Sequence, residues 1–100
     1  MKFLCLDQPA VGVTVEQFMP YLKEETQLAW SAYKSGFFRE VYFRQDRPGV
    51  VIIVEGESID AVKSSFADFP LVKAGLIEME VIPIGPYTSW EFLFSPQQQQ

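Results

Sequence analysis

The sequence predicts a single α+β domain with the ferredoxin-like order β-α-β-β-α-β and a four-stranded antiparallel sheet. Segments with strand character alternate with two segments whose apolar residues recur at three- and four-residue steps. Glycine- and proline-containing turns separate these segments. A length of 100 residues and a hydrophobic fraction of 48% suit one domain with a real core. We assign residues 1–94 to this domain and expect the glutamine-rich residues 95–100 to be disordered.

Local sequence signals mark where the first strand and the first helix begin and end. Residues 2–6 are apolar and extended in character, and a proline-containing loop follows them. Thr14 fits a helix N-cap, and Gln17 three residues later completes a capping box. Apolar residues then recur at helical spacing until Gly36, which is a natural helix stop. Pro20 should kink this helix or mark where its regular part begins.

A β-hairpin follows the first helix. Residues 37–45 alternate, which predicts a strand with at least one partly polar face. Uniform alternation places four of these residues on the same side: Phe38, Glu40, Tyr42 and Arg44. Residues 46–49 form a Pro-Gly turn. Residues 50–54 are β-branched and apolar throughout, which indicates a strand buried on both faces.

The second half repeats the helix-strand pattern. Ser58 can cap a second helix, and Pro70 should end its regular part. Gly75 is available for a left-handed turn conformation. Residues 76–84 alternate between apolar and acidic side chains and predict the fourth strand. An aromatic segment, residues 87–94, closes the domain.

One face of the predicted sheet has nothing to cover it. Two helices pack on a single face, yet the strand at 50–54 is apolar on both sides. The uncovered face would be a larger apolar patch than monomers usually show. We therefore expect a two-fold homodimer through this open sheet face, with residues 90–94 packing across the interface. The alternative is that the C-terminal segment folds back on its own domain.

Composition excludes several classes of function. The net charge of −5 argues against nucleic-acid binding, which needs a basic surface. No run reaches the roughly 18 apolar residues of a membrane span, and the first residues do not suit a signal peptide, so we expect a soluble cytoplasmic protein. The lone Cys5 should behave as a small apolar residue. No ligand cluster for a metal and no phosphate-binding loop is recognisable, so no cofactor is expected.

Several motifs resemble those of a known superfamily. They are Ala29-Trp30, Gly36 followed by residues 39–42, and the runs at 69–77 and 83–87. On these motifs the chain resembles the dimeric α/β-barrel superfamily, in the group similar to muconolactone isomerase and the YCII-related domains of small bacterial proteins. The resemblance implies two facing sheets and a pocket between each sheet and its helices. It also implies an isomerase, cyclase or lactone-processing enzyme that needs no cofactor and uses a carboxylate base.

The absence of histidine separates the chain from several members of that superfamily. It lacks the axial ligand of the haem-degrading members and the histidine of the YCII-related pocket. Superoxide dismutation, suggested for some relatives, needs a redox metal usually held by histidines, so we reject it.

Carboxylates on the predicted strands are the candidate catalytic groups. Glu40, Glu78 and Glu80 lie in otherwise apolar surroundings, where burial can raise the pKa of a general base. A competing interpretation pairs Glu78 and Glu80 with Arg39 or Arg44 across the dimer seam. We favour the ion pairs, because buried ion pairs contribute to specificity at least as often as to catalysis.

Aromatic and basic side chains supply the candidate substrate pocket. The expected substrate-binding residues are Trp30, Tyr33, Phe38, Arg39, Tyr42, Arg44, Phe66 and Phe69. Tyr33 or Tyr42 would donate a hydrogen bond, and an arginine would hold an anionic substrate such as a small aromatic acid. An aromatic stripe at helical spacing is more often plain core. A non-catalytic protein that binds a small apolar ligand, and a purely structural homodimer, therefore remain the alternatives to an enzyme.

Overall fold

The computed structural model describes residues 1–94, and the expected glutamine-rich tail lies outside the described residues. The helices and strands are β1 (Lys2–Pro9), α1 (Val15–Phe18), α2 (Leu22–Ser35), β2 (Phe38–Phe43), β3 (Val50–Glu55), α3 (Ile59–Phe66), α4 (Pro70–Lys73) and β4 (Ile77–Ile84). A 3-10 turn, Met19–Tyr21, joins α1 to α2. A second one, Thr88–Leu93, lies within residues 85–94, which we call the C-terminal arm.

The four strands form one antiparallel sheet in the order β2-β3-β1-β4. β1 lies in the middle, where Cys5 faces Ile52 of β3 and Val81 of β4. The connections β1-helix-β2 and β3-helix-β4 around the β2–β3 hairpin give the ferredoxin-like α+β arrangement. The predicted fold class is confirmed.

Local sequence signals account for the helix boundaries. Gln17 accepts a hydrogen bond from the backbone N–H of Thr14 at 2.8 Å, as the capping box predicts. Pro20 interrupts the regular helix with the 3-10 turn, because its ring removes a donor and clashes with the preceding turn. Gly36 ends α2 in the left-handed conformation with φ 87°. Ser58 caps α3 by accepting the N–H of Ala61 at 3.1 Å.

A β-bulge in β2 changes the predicted alternation of that strand. Phe38 pairs with Val54, but Glu40 pairs with the adjacent Ile53, so Arg39 is an extra residue between them. Phe38 therefore points to the helix side and is buried, whereas Glu40 points to the other side. The prediction that Phe38 and Glu40 share a face is wrong, because uniform alternation does not allow for the inserted residue.

The core lies between the helices and one face of the sheet. Its buried residues come from all four strands or the helices above them: Phe3, Cys5, Phe38, Ile52, Val54, Val62, Phe66, Phe69, Leu71 and Ile77. Phe38, Phe66 and Phe69 form its aromatic centre, with ring centroids 5.8 to 5.9 Å apart. Such pairs add to the free energy gained by burial alone.

The opposite face of the sheet, which we call the open face, packs against no helix among the described residues. Strand alternation and register bring its apolar residues together as Leu4, Leu6, Val51, Ile53, Ile82 and Ile84. Most of them are only half-buried. No helix in the described part of the chain is long and apolar enough to cross a membrane.

Candidate active site

A cavity of about 460 Å³ lies between the helices and the sheet, within the size range of small-molecule sites. It lies toward the end of the sheet where β1 and β2 finish and β3 begins. The wall is mainly apolar, and its polar side chains are Asp7, Glu25, Thr26 and Arg44. The helix segments around Pro20 and the β2–β3 hairpin form parts of the rim, through residues such as Phe18, Leu22, Phe43 and Pro48.

Glu25 is a half-buried carboxyl group on the α2 wall of the cavity. Its Oε1 accepts the backbone N–H of Leu71 at 3.0 Å, in the first turn of α4. Burial raises the pKa of Glu25; the Leu71 bond opposes that shift, and the neighbouring Glu24 charge adds to it. The environment therefore favours the protonated form more than water does, which is typical of carboxyl groups that exchange protons in catalysis.

Asp7 lies on the opposite wall, near the end of β1, and is only 5% exposed. Its Oδ1 accepts the backbone N–H of Val50 at 3.0 Å and lies 3.5 Å from Nη1 of Arg47. Arg47 also donates from Nη2 to the backbone carbonyl of Asp7 at 2.7 Å. These contacts fix the Asp7 carboxylate against the β2–β3 turn, so it is an ordered group in the wall.

Gly49 makes this arrangement possible. A Cβ at this position would lie 2.5 Å from both Asp7 Oδ1 and Arg47 Nη1, well inside van der Waals contact. Only glycine lets the turn come this close to the carboxylate. The Pro-Gly turn that the sequence predicts therefore also shapes the cavity.

Arg44 reaches the cavity wall with its charge already paired. Its Nε and Nη2 donate to the two carboxylate oxygens of Asp46 at 2.9 and 2.6 Å, a bidentate pair. The hydrogen bond with Arg44 lowers the pKa of Asp46 to about 2, and the same bond raises the pKa of Arg44. Both groups are therefore charged throughout the neutral range.

The structure places the predicted substrate-binding residues in two groups. Phe38, Arg44, Phe66 and Phe69 line the cavity. The others line a shallow groove between α2 and the edge strand β2, and are Trp30, Tyr33, Arg39 and Tyr42. Trp30 and Tyr33 stack with ring centroids 6.0 Å apart and are largely exposed.

The three predicted catalytic carboxylates lie outside the cavity. Glu78 and Glu80 are exposed on the open face, and Gln8 donates to Glu80 at 3.2 Å. Glu40 lies on the same face and accepts the hydroxyl of Tyr42 at 2.6 Å, which raises the pKa of Tyr42. All three side chains lie on the open face, and their catalytic role remains a prediction.

Asp7, Glu25 and Arg47 were not predicted as site residues, although the sequence holds a signal for two of them. Glu25 follows Leu22 by three positions and precedes Ala29 by four, so it lies on the inward stripe of α2. Asp7 alternates in phase with Phe3 and Cys5, the inward positions of β1. A carboxylate on an apolar stripe is therefore the signal that could have identified both.

Metal and thiol chemistry find no support in the described residues. No group of three or more potential metal-ligating side chains occurs within residues 1–94. Cys5 is buried in the core, and burial raises the pKa of its thiol to about 11, which keeps it protonated near neutrality.

Comparison with solved structures identifies the class of fold, which is the α+β fold of muconolactone isomerase. The chain superposes on muconolactone isomerase with a TM-score of 0.71 at 16% identity, covering 89% of this chain and 93% of that one. It superposes equally well, with a TM-score of 0.71, on 5-chloro-2-hydroxyhydroquinone dehydrochlorinase from Burkholderia phenoliruptrix in complex with 2,5-dihydroxybenzoquinone, at 19% identity over 89% of this chain and 98% of that one. The resemblance inferred from the sequence is confirmed for the fold. No family model and no curated protein sequence matches the chain.

Proposed function

We propose that this protein is a cofactor-independent enzyme that moves a proton within a small cyclic carbonyl compound, with Glu25 as the general acid and base. The observation that carries the proposal is a carboxyl group of raised pKa in the wall of an apolar cavity of ligand size. The two fold neighbours are named as a lactone isomerase and a dehydrochlorinase, which supports chemistry on small rings.

The proposed reaction balances with one carboxyl group. Ionised Glu25 takes a proton from the carbon next to the carbonyl, and the C–H electrons pass into the conjugated system to give an enolate. The proton on Glu25 exchanges with water, and protonated Glu25 then delivers a proton to a more distant carbon while the double bond shifts. A carboxyl group whose pKa is raised by burial can perform both steps. The Leu71 bond holds Oε1 in place and leaves Oε2 for the proton transfer.

Deuterium exchange tests this proposal across a range of candidate substrates. A panel of small unsaturated lactones and hydroxyquinones is incubated with the protein in D₂O, and loss of C–H signals is followed by proton NMR. Glu25→Gln keeps an acceptor for Leu71 but cannot take a proton. We expect it to lose roughly 10²–10⁴-fold in exchange rate. Glu57→Gln is the matched control, because Glu57 is exposed before α3 and does not line the cavity, and it should keep the rate.

Equal exchange by the wild type and Glu25→Gln would contradict the assignment of Glu25. Tight ligand binding without exchange for any panel member would favour the alternative, a non-catalytic ligand-binding protein. The apolar wall of the cavity is compatible with that role.

We also propose that the protein is a homodimer through the open face and the C-terminal arm. The open face presents a continuous apolar centre that no helix of the described chain covers. The arm exposes large side chains, with Phe94 at 78% exposure, and none of its residues is buried. Two copies stacked face to face would cover both surfaces. In this assembly Glu78 and Glu80 would lie at the seam, where Arg39 of a second copy could pair with them.

A cytoplasmic location is part of the proposal. The single cysteine cannot form an internal disulfide, so nothing in the chain requires an oxidising compartment.

A further inference from the structure

The charges at the cavity wall do not suit an anionic ligand. Arg44 is the one cation among the lining residues, and Asp46 occupies its Nε and Nη2. Arg47, just behind the wall, donates from Nη1 to the carbonyl of Pro48 at 2.8 Å and from Nη2 to the carbonyl of Asp7 at 2.7 Å. Each guanidinium is thus already hydrogen-bonded and lies beside a carboxylate. Asp7 and Glu25 add acceptors, so the wall has more negative than free positive charge.

Asp7 offers an acceptor that the described chain does not use. Its Oδ1 takes the N–H of Val50 and the contact with Arg47, whereas Oδ2 has no hydrogen-bond partner within residues 1–94. No buried side-chain oxygen or nitrogen of the described residues lacks a hydrogen-bond partner, so Oδ2 keeps contact with the solvent, and a ligand donor would replace water there. Because Asp7 lines the cavity, a bound molecule can supply that donor.

We propose that the cavity selects neutral ring compounds carrying a hydroxyl group, which donates to Asp7 Oδ2, and that it rejects carboxylates. Asp7 is then the specificity-determining residue. The inference rests on the proposed function only in using the same cavity. It replaces the expectation that an arginine holds an anionic substrate, because both nearby guanidinium groups already have carboxylate partners.

Three non-reacting probes of similar size test the selection by isothermal titration calorimetry on the full chain. They are resorcinol, 1,3-dimethoxybenzene and 3-hydroxybenzoate. A hydrogen bond to a charged acceptor predicts that resorcinol binds at least about tenfold more tightly than its dimethyl ether. 3-Hydroxybenzoate should bind more weakly than resorcinol, since its carboxylate finds no free cation. Equal binding of resorcinol and its ether, or tighter binding of the acid, would overturn the proposal.

Two variants separate the roles of the carboxylates. Asp7→Asn keeps an acceptor for Val50 but removes the charge, so the preference for resorcinol over its ether should fall about tenfold. Asp46→Asn changes an exposed residue outside the cavity wall and removes the negative charge that is paired with Arg44. It should tighten 3-hydroxybenzoate binding about tenfold and leave resorcinol unchanged. This variant keeps the test decisive if Asp7→Asn does not fold.

The binding measurements that test this inference do not depend on whether the protein is a catalyst. The proposed function fails if Glu25→Gln and Glu57→Gln exchange deuterium at the same rate. The present inference fails on the ranking of the three probes or on unchanged 3-hydroxybenzoate affinity in Asp46→Asn.

Discussion

Replacing Gly49 with alanine should destabilise the protein through the Asp7 carboxylate. The new Cβ would lie 2.5 Å from Asp7 Oδ1 and 2.5 Å from Arg47 Nη1, about 0.9 Å inside ordinary contact. Arg47 is partly exposed and can move away, at the cost of its pair with Asp7. Asp7 is buried and cannot retreat by that distance and keep its 3.0 Å bond from Val50.

The expected loss of folding free energy follows from the hydrogen bond between Val50 and Asp7, which must break. The Val50 N–H is partly buried, and leaving a buried donor unsatisfied costs about 1–3 kcal/mol, so a cost at the lower end of that range is expected. For a domain of this size each kcal/mol lowers Tm by about 4–8 °C. Urea denaturation and calorimetry of Gly49→Ala would measure both quantities. Gly85→Ala is the control, because a Cβ there meets no atom within 4 Å.

A double-mutant cycle identifies the cause. In an Asp7→Ala background, Gly49→Ala should lose most of its effect, because the carboxylate it displaces is gone. Any loss of stability that Gly49→Ala still causes in that background measures backbone strain, because Gly49 has a φ of 156°. A cost of less than about 0.5 kcal/mol in the wild-type background would refute the reasoning, since that is the range of neutral surface changes.

Three further predictions concern the core, the titration of Glu25 and the open face. Phe66→Ala should cost about 3–5 kcal/mol in urea denaturation, because the ring is buried against two other phenylalanines. The pKa of Glu25 is raised on folding, so its charging costs stability as pH rises from the ordinary carboxyl range through the raised value. Glu25→Gln should therefore gain stability relative to the wild type as the pH rises through and above the ordinary carboxyl range, and a constant difference would contradict this. Ile53→Lys on the open face should lower the mass measured by light scattering from dimer to monomer, whereas Val11→Lys in an exposed loop should not.

The fold was predictable because its signals are local. The helix caps and the turn lie where the sequence predicts them, at Thr14, Gly36, Ser58 and Gly75. Gly75 adopts the left-handed conformation with φ 73°. The bulge at Arg39 was not predictable, because an inserted residue leaves a strand that still reads as alternating. Its effect is large, since it sends Phe38 to the core while Tyr42 stays on the open face.

The candidate site was predictable in its apolar part only. Phe66 and Phe69 lie at helical spacing, and both line the cavity. Trp30 was assigned to the pocket from the same periodicity, yet α2 turns Leu28 and Ala32 toward the sheet and leaves Trp30 at the groove. A broad apolar stripe does not specify which of its edges is buried.

The surroundings of the carboxylates could not be predicted, for a related reason. Alternation in β4 shows that Glu78 and Glu80 share a face but not whether helices cover it. In α2, Glu25 interrupts an apolar stripe, and a hydrophobic pattern treats such a residue as an exception. Only the packing of α2 over the sheet shows that this exception points into the cavity.

The positions of the two tryptophans make the protein its own optical reporter. Trp30 lies at the groove and Trp90 on the C-terminal arm, 60% and 61% exposed, and neither lines the cavity. Intrinsic emission from the isolated chain should therefore be red-shifted, as for indoles in water. A blue shift with rising protein concentration would signal burial of the arm or the groove, and Trp30→Phe would show which. Ligands entering the cavity should leave this emission almost unchanged, so assembly and occupancy can be followed separately in one sample.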